Sequence, residues 1–362
     1  MRGGDGVKAL YRFLKASFVM LALIAGVYVL SGLDKKEPEG SLSSKVYNSA
    51  SQGQTNAIDS VVGGIGDILQ TVANGYSQDK SSGTQKLNEN VKSDYKPDTA
   101  NGNLVEGSAS TAVSAGASQN YDFSEQMYPY RAMLTDVQRK VYDQVYEGIN
   151  ELQADISLCS YLDVTGIKNV MTAIFNDHPE LFWIDTGYSY GYTNKGSVIS
   201  VRLDYNETAN NIESSREKFH SAANPIINAA STLGTDIEKE KFVYKAVQNI
   251  CVYDENSELN QSAYSALVLG SSVCAGYSRA FQYIMMQLNI PCYFCSGYAN
   301  GGYHAWNIVC VEGKYYNVDI SWDDSLGDIS NTLSYSYFNK SDIVMSADHA
   351  RREMSTRLPA CS

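Results

Sequence analysis

Three short blocks of this chain hold the residue types of a thiol acyl-transfer site. They are Ser271-Ser272-Val273-Cys274-Ala275-Gly276-Tyr277-Ser278, His304-Ala305-Trp306-Asn307 and Val318-Asp319-Ile320-Ser321-Trp322. In order they offer a thiol, an imidazole and a carboxylate, from a chain with seven Cys and four His in all. A thiolate can attack an amide carbonyl to give a thioester that water or an amine resolves. An imidazole can take the thiol proton, and a carboxylate can fix the tautomer and orientation of that imidazole. Cys274, His304 and Asp319 are therefore the catalytic candidates. The Cys274 backbone N–H is a candidate oxyanion donor, and no second donor can be named from the sequence.

The flanking residues say which elements must carry these groups. Phe281, Ile284, Met285 and Leu288 are spaced as one apolar helix face. That helix must stop near Asn289, because Pro291 disfavours helical geometry in the residue before it. Gly270, Ser271 and Ser272 precede it as loop and cap residues, which puts Cys274 at or beside a helix N-terminus. Unpaired N–H groups and the helix dipole favour thiolate there. A buried structural thiol is the commonest alternative fate of a free Cys, but such a thiol would sit on the apolar face rather than at the start.

Residues 303–311 and 314–321 predict two strands joined by Glu312-Gly313. A two-residue turn pairs Val311 with Lys314, Trp306 with Asp319 and His304 with Ser321. In that register His304 and Asp319 are diagonal neighbours on one face, roughly 7–8 Å apart at the backbone and within side-chain reach. A slip of one residue would put them on opposite faces.

The remaining chemistry-bearing residues have plainer explanations. Cys159, Cys251 and Cys310 sit in apolar runs as small hydrophobes. Cys292 and Cys295 form a lone C-x-x-C in an expected strand, where an offset of three points them to opposite faces, so neither zinc nor a local disulfide is expected. His178 precedes Pro179 in a turn, and His220 and His349 fall in expected polar helices, so all three are expected to be structural or solvated. Asp323, Asp324 and Asp328 fit no EF-hand spacing and are expected in a solvated loop. Trp306 and Trp322 could wall the cleft or pack the core. The Tyr188, Tyr190 and Tyr192 row could stack on a sugar or peptide, with a packed hairpin face as the simpler expectation. No cofactor or metal is called for.

The chain has 362 residues, 44% hydrophobic content and a formal charge of −12. That length allows one large or two ordinary domains, and the acidic balance with no basic stripe argues against nucleic acid. Residues 16–33 are an uncharged run of eighteen residues behind Arg2, Lys8, Arg12 and Lys15. As a helix this run would reach about 27 Å, nearly the hydrocarbon thickness, and the basic flank predicts a cytoplasmic N-terminus. We expect residues 1–15 to be the basic cytoplasmic end and 16–33 a single-pass signal anchor, with the rest outside the cytoplasm at the cell surface. Cleavage after Ser31, with Val29 at the −3 position, is the competing possibility and would leave a secreted protein. Residues 34–120 are rich in Ser, Gly, Asn, Gln, Asp and Lys and lack Cys, His and Trp, the composition of a flexible linker. One apolar island from Ile58 to Val72 has helical spacing, weakened by Gly63, Gly64 and Gly66.

A globular domain is expected over residues 121–362. Thr135 with Gln138 predicts a capping box and a helix running toward Leu152, and a second helix is expected from Val164 to Phe175. The Tyr row and Ser197 to Tyr205 predict paired strands, followed by helices near 207–231 and 235–250 and a polar helix near 341–356. Helices come first and strands later, which gives an α+β class rather than a doubly wound sheet.

With these residues assembled, the chain resembles the transglutaminase-like superfamily. Cys274-Ala275-Gly276-Tyr277, His304-Ala305-Trp306 and Asp319-Ile320-Ser321-Trp322 look like its three motif blocks. His178-Pro179-Glu180-Leu181-Phe182-Trp183, and the ending from Asp348-His349 to Leu358-Pro359, are similar to bacterial extracytoplasmic members, so the likeness spans roughly 130–360. It implies a papain-like α+β core with the Cys on a helix packed on an antiparallel sheet and the His and Asp on adjacent strands. It also implies Cys274, His304 and Asp319 as a triad acting on a protein or peptide substrate, by hydrolysis or by transfer to an amine. The metal sites and extra domains of calcium-dependent animal transglutaminases, and the papain signature around the Cys, are not found here. Two rivals stand beside this expectation: a non-catalytic surface module that keeps the fold, and a thiol–disulfide protein using Cys292 and Cys295.

Overall fold

The structure is a computed structural model that describes residues 95–105, 114–330 and 334–362. The expected anchor at 16–33 and the apolar island at 58–72 lie outside these. Among the described residues no helix is long and apolar enough to cross a membrane.

The first half of the described chain builds a four-stranded sheet with two helices against it. Thr135 opens α2 (Asp136–Asn150, after the one-turn α1, Pro129–Ala132) with both capping-box bonds: its Oγ1 accepts from the Gln138 N–H at 3.3 Å, and Gln138 Oε1 accepts from the Thr135 N–H at 3.0 Å. The apolar stripe Val141, Tyr142, Val145 and Ile149 is buried against β2 (Asp155–Leu162) and α3 (Val164–Asp177). Asp163 caps α3 by accepting from the Gly166 N–H at 2.6 Å. The Tyr row lies in β3 (Ile184–Tyr192), antiparallel to β4 (Val198–Tyr205), and the sheet order is β1-β3-β4-β2.

The edge strand β1 (Thr99–Leu104) runs parallel to β3, with Thr99 opposite Gly187 and Leu104 opposite Tyr192. It comes from the segment expected to be a free linker, so at least this part of 34–120 belongs to the folded unit. Its residues are mostly exposed, and it joins the sheet through its backbone. A strand added in that way leaves no hydrophobic alternation to read.

The second half holds the site. Helices α4 (Ile212–Ser231) and α5 (Asp236–Ile250) pack beside α6 (Cys274–Gln287), which lies on a second sheet of order β10-β7-β8-β9. A two-stranded parallel pair, β5 (Val252–Tyr253) and β6 (Ser271–Ser272), leads into α6. Strands β7 (Cys292–Ala299), β8 (Gly302–Val311) and β9 (Lys314–Val318) form an antiparallel meander, with α7 (Ile320–Ser330) directly after β9. The β8–β9 register is the expected one, Val311 opposite Lys314 and Asn307 opposite Val318. Glu312 and Gly313 both adopt positive φ, 51° and 75°, as a two-residue hairpin turn matched to strand twist requires.

Two elements differ from expectation. The strand foreseen to residue 321 ends at Val318, because α7 starts there. The polar helix foreseen at 341–356 is instead a single turn, α8 (Asp342–Met345), then β10 (His349–Arg351) and a 3-10 turn (Glu353–Arg357). Strand β10 pairs with the free edge of β7, His349 opposite Ala299 and Arg351 opposite Gly297. Long-range backbone pairing has overridden a local helical pattern. The class is α+β, although β1 to β4 precede much of the helix.

Candidate active site

Cys274 is the first residue of α6, and its N-cap is Val273, with no side-chain cap. The serines expected to cap this helix do other work: Ser271 and Ser272 form β6, and the Ser272 hydroxyl donates to the Asn260 carbonyl at 2.8 Å. The uncapped positive end of the α6 dipole therefore lies at the sulfur. His304 comes from β8, on the face covered by α6. Asp319 sits between β9 and α7 and serves as the cap of α7: its Oδ1 accepts from the Trp322 N–H at 3.1 Å and the Ser321 hydroxyl at 2.8 Å. This explains the early end of β9, since an Asp that accepts from the N–H three residues on is a helix start.

The structure brings the three residues together. His304 Nε2 and Asp319 Oδ2 are 2.6 Å apart. Cys274 is the ring's other neighbour, acting on it both as a charge and as a hydrogen-bonding group. His304 Nδ1 nevertheless closes no hydrogen bond of ordinary length and angle, so the thiol lies beside the ring without a tight contact. Catalytic hydrogen bonds are often long before substrate binds. Burial alone would push the His304 imidazole down, but the Asp319 carboxylate and then the sulfur outweigh it and raise the ring to about 10. Burial pushes Asp319 up, and the His304 and His349 rings reverse this, holding its carboxyl well below the usual range. Trp306 stacks on the His304 ring at 6.1 Å and Trp322 lies tilted to it at 5.5 Å, and both are buried. The Trp306 indole N–H donates to Asn317 Oδ1 at 3.0 Å, so this ring is a fixed wall.

One residue at the site was not foreseen. His349, expected in a polar helix, is buried on β10, with its Nε2 3.1 Å from Asp319 Oδ2 and its Nδ1 2.5 Å from Asp348 Oδ1. Asp348 also accepts from the Tyr337 hydroxyl at 2.7 Å. Gly297 makes this approach possible: a Cβ there would fall 2.1 Å from the Ala350 carbonyl oxygen, which β10 brings against β7. Nothing local in the sequence signals His349; only the similarity of the Asp348-His349 ending to related proteins pointed there. The ligand atoms of His304, Asp319 and His349 lie within 4.8 Å of one another, close enough to hold a metal ion. Ring N–H donors and a carboxylate satisfy the same geometry through hydrogen bonds.

The site is closed. Cys274 and His304 are 0% exposed and Asp319 is 1% exposed. Part of the cover is Tyr95, which packs on the cluster of Val273, Cys274, Ala275, Phe294 and Ala305.

The other sequence-marked residues lie elsewhere. His178 is buried beneath α2, sharing hydrogen bonds with the Tyr142 hydroxyl at 2.7 Å and Glu180 at 2.6 Å. His220 is on the exposed side of α4. All seven cysteines are free thiols; six are buried, and Cys159 is partly exposed. Burial pushes Cys292 and Cys295 well above the ordinary thiol range, against a redox role. Asp323 was expected in a solvated loop. It is buried in α7, accepting from the Tyr244 hydroxyl, the Ser334 hydroxyl at 2.7 Å and the Tyr337 N–H at 2.9 Å. Asp324, also in α7, accepts from the Tyr277 hydroxyl at 2.5 Å.

Residues 222–320 match the core of the transglutaminase-like superfamily. No curated protein matches the chain. Among solved structures, it is similar to a TGase at 15% identity over 54% of this chain and 55% of that one, with a TM-score of 0.27. A candidate cysteine protease from Cytophaga hutchinsonii is similar at 14% identity over 34% of this chain and 51% of that one, TM-score 0.25. A candidate protease from Parabacteroides distasonis is similar at 10% identity over 36% of this chain and 33% of that one, TM-score 0.22. The chain thus spans about half the length of the first two and a third of the last.

Proposed function

The chain carries a transglutaminase-like core over residues 222–320, and on that premise we propose that it is a thiol acyl-transfer enzyme acting on amides. Cys274 is the nucleophile, His304 the general base and Asp319 the residue that fixes the imidazole. The observation that carries this is the 2.6 Å contact between His304 and Asp319, with Cys274 at an uncapped helix start on the ring's other side. The His304 ring takes the thiol proton, and the sulfur forms a bond to the carbonyl carbon. The ring returns that proton to the departing amine as the C–N bond breaks. Water or a second amine then attacks the thioester, with His304 taking its proton and the sulfur leaving.

We further propose that the substrate is a protein or peptide at the cell surface. The domain would be held there by the apolar run at 16–33 behind its basic flank. Trapping the acyl-enzyme with cell-surface extract tests the chemistry. A mass increase on Cys274 that disappears in Cys274→Ala is expected, and no adduct under any donor would overturn the assignment. One observation favours the binding-module rival, namely the full enclosure of the sulfur. A cellular phenotype left unchanged by Cys274→Ala would favour that rival.

A further inference from the structure

The edge of β8 beside His304 is open where a neighbouring strand would be. Across the two-residue turn, the backbone groups of Val311, Val309 and Asn307 face β9, and Tyr303 continues that alternate series. Strand β9 has already ended at Val318, where Asp319 turns into α7, so no residue of β9 reaches Tyr303. The same capping that aims Asp319 at His304 therefore leaves a strand edge next to the nucleophile.

That edge is occupied by the chain itself. The Tyr95 N–H donates to the Tyr303 carbonyl at 3.3 Å, and the Lys96 N–H donates to Gln261 Oε1 at 3.1 Å. Asp98 accepts from the Thr172 hydroxyl at 3.0 Å, and β1 begins at the next residue, tied to β3. The Tyr95 ring packs edge-on to Phe294 at 5.6 Å, within the apolar cluster that also holds Cys274 and Ala275. Lys96, the next residue, lines a cavity of ≈ 440 Å³ together with Phe182, Asn256, Asn260, Gln261 and Arg279.

The geometry points to residues Tyr95–Asp98 as a resident occupant of the acyl-donor groove, an extended peptide strap that keeps Cys274 closed until it is displaced. This rests on the acyl-transfer assignment and names the ligand class of the same site. The ligand is an extended polypeptide that adds its backbone to the edge at Tyr303 and lays an aromatic side chain over the sulfur. Consistent with a dry seat, burial raises the Tyr95 phenol well above its ordinary range, and Cys274 is among the groups that act on it.

The test is the rate at which iodoacetamide modifies Cys274 in the full chain, followed by mass spectrometry, with partly exposed Cys159 as the internal reference. A site that is open only part of the time reacts in proportion to its open fraction, so Tyr95→Ala should react at least about tenfold faster than wild type. Tyr95→Pro removes the N–H that holds the edge and should also speed modification. Tyr95→Phe keeps the ring and should stay slow. Adding the capped tetrapeptide Tyr-Lys-Pro-Asp should slow Tyr95→Ala again. Equal rates for wild type and Tyr95→Ala, with thermal midpoints showing both folded, would overturn the strap. The pH profile of the same reaction separates this from failure of the chemistry. Modification that rises only at the free-thiol value of about 8.5 in every variant would remove the activated thiol instead.

Discussion

Of the three histidines that the fold buries beside carboxylates, His178 and His304 differ most in what their rings can do. His178 spends both ring nitrogens on fixed partners, Tyr142 and Glu180, and is enclosed by the rings of Phe123, Tyr128 and Tyr146. Its neighbour Asp177 accepts from the N–H groups of Tyr130 and Arg131 at the start of α1, tying the entry of the domain to α3. His304 spends one nitrogen on Asp319 and keeps the other for a thiol. The carboxylates diverge accordingly. Burial pushes Asp177 up to about 7 against the opposing pull of His178 and the backbone donors. Two imidazoles overcome the same burial at Asp319 and hold its carboxyl down. A buried His–carboxylate pair is thus a clamp or a catalytic unit according to what the ring's second nitrogen faces.

Exchanging the two carboxylates gives the largest contrast. Asp319→Asn loses the charge that orients and sustains the His304 imidazolium, and Cys274 alkylation and amide turnover should fall by about 10²–10⁴-fold. Asp177→Asn, measured in the same assays, should leave both rates within about twofold, because the hydrogen bonds of that carboxyl go to Tyr130, Arg131 and Tyr142 and to no member of the site. A comparable loss in the two variants would erase the distinction between them.

Stability reverses the order. His178→Ala opens a cavity among the aromatic rings, removes the partner of Glu180 and leaves the Tyr142 hydroxyl only its 3.2 Å bond to Asp177. It should cost about 2–4 kcal/mol in denaturant unfolding while alkylation of Cys274 keeps its wild-type rate. A stable His178→Ala protein would mean that the clamp carries no weight.

The pH dependence of stability can separate the two sites in one titration. Asp177, raised in the folded state, contributes stability that is present below its unfolded value of about 3.9 and is lost as pH rises through about 7. His304, also raised, contributes stability that is complete below about 6.5 and is lost as pH rises through about 10. The thermal midpoint of Asp177→Asn should therefore lose its slope between about pH 4 and 7, and that of His304→Gln between about pH 6.5 and 10. Slopes that persist in the variants would assign the titrations to other groups.

How much of this was legible from the sequence depends on whether a local rule set it. The His304–Asp319 face followed from a two-residue turn, since Glu312-Gly313 fixes the register through positive φ and the rest is alternation. The place of Cys274 followed from the period of Phe281, Ile284 and Met285, and α2 from its capping box. Asp319 as a helix cap was written in Asp319-Ile320-Ser321-Trp322 but was masked by the alternation running into it. Strands β1 and β10 had no local signal, because each is recruited by a distant sheet edge through backbone groups that every sequence carries. Their consequences, Tyr95 packed on the cluster that holds Cys274 and His349 against Asp319, were hidden with them.

His349 gives the smallest effect and the finest division of the site. Its Nε2 and that of His304 converge on the same oxygen of Asp319, while Oδ1 is held by Ser321 and Trp322. The groups that face the His349 ring are Asp319, Asp348, His304 and Tyr337, with Trp306 and Trp322 around them. A neutral imidazole has one N–H and can donate to only one of the two carboxylates, whereas the protonated ring donates to both. We expect His349 to act as a positioning residue that shares the Asp319 charge with His304. His349→Gln can keep one donor toward Asp319 but cannot bridge to Asp348 as the ring does. Alkylation should slow about three- to tenfold, the scale of one hydrogen bond in a network that retains its other members. His349→Ala, which offers Asp319 no donor, should slow the reaction further, so that His349→Gln acts as the partial rescue. Equal rates for the two variants would reduce His349 to packing, and the catalytic unit would then end at Asp319.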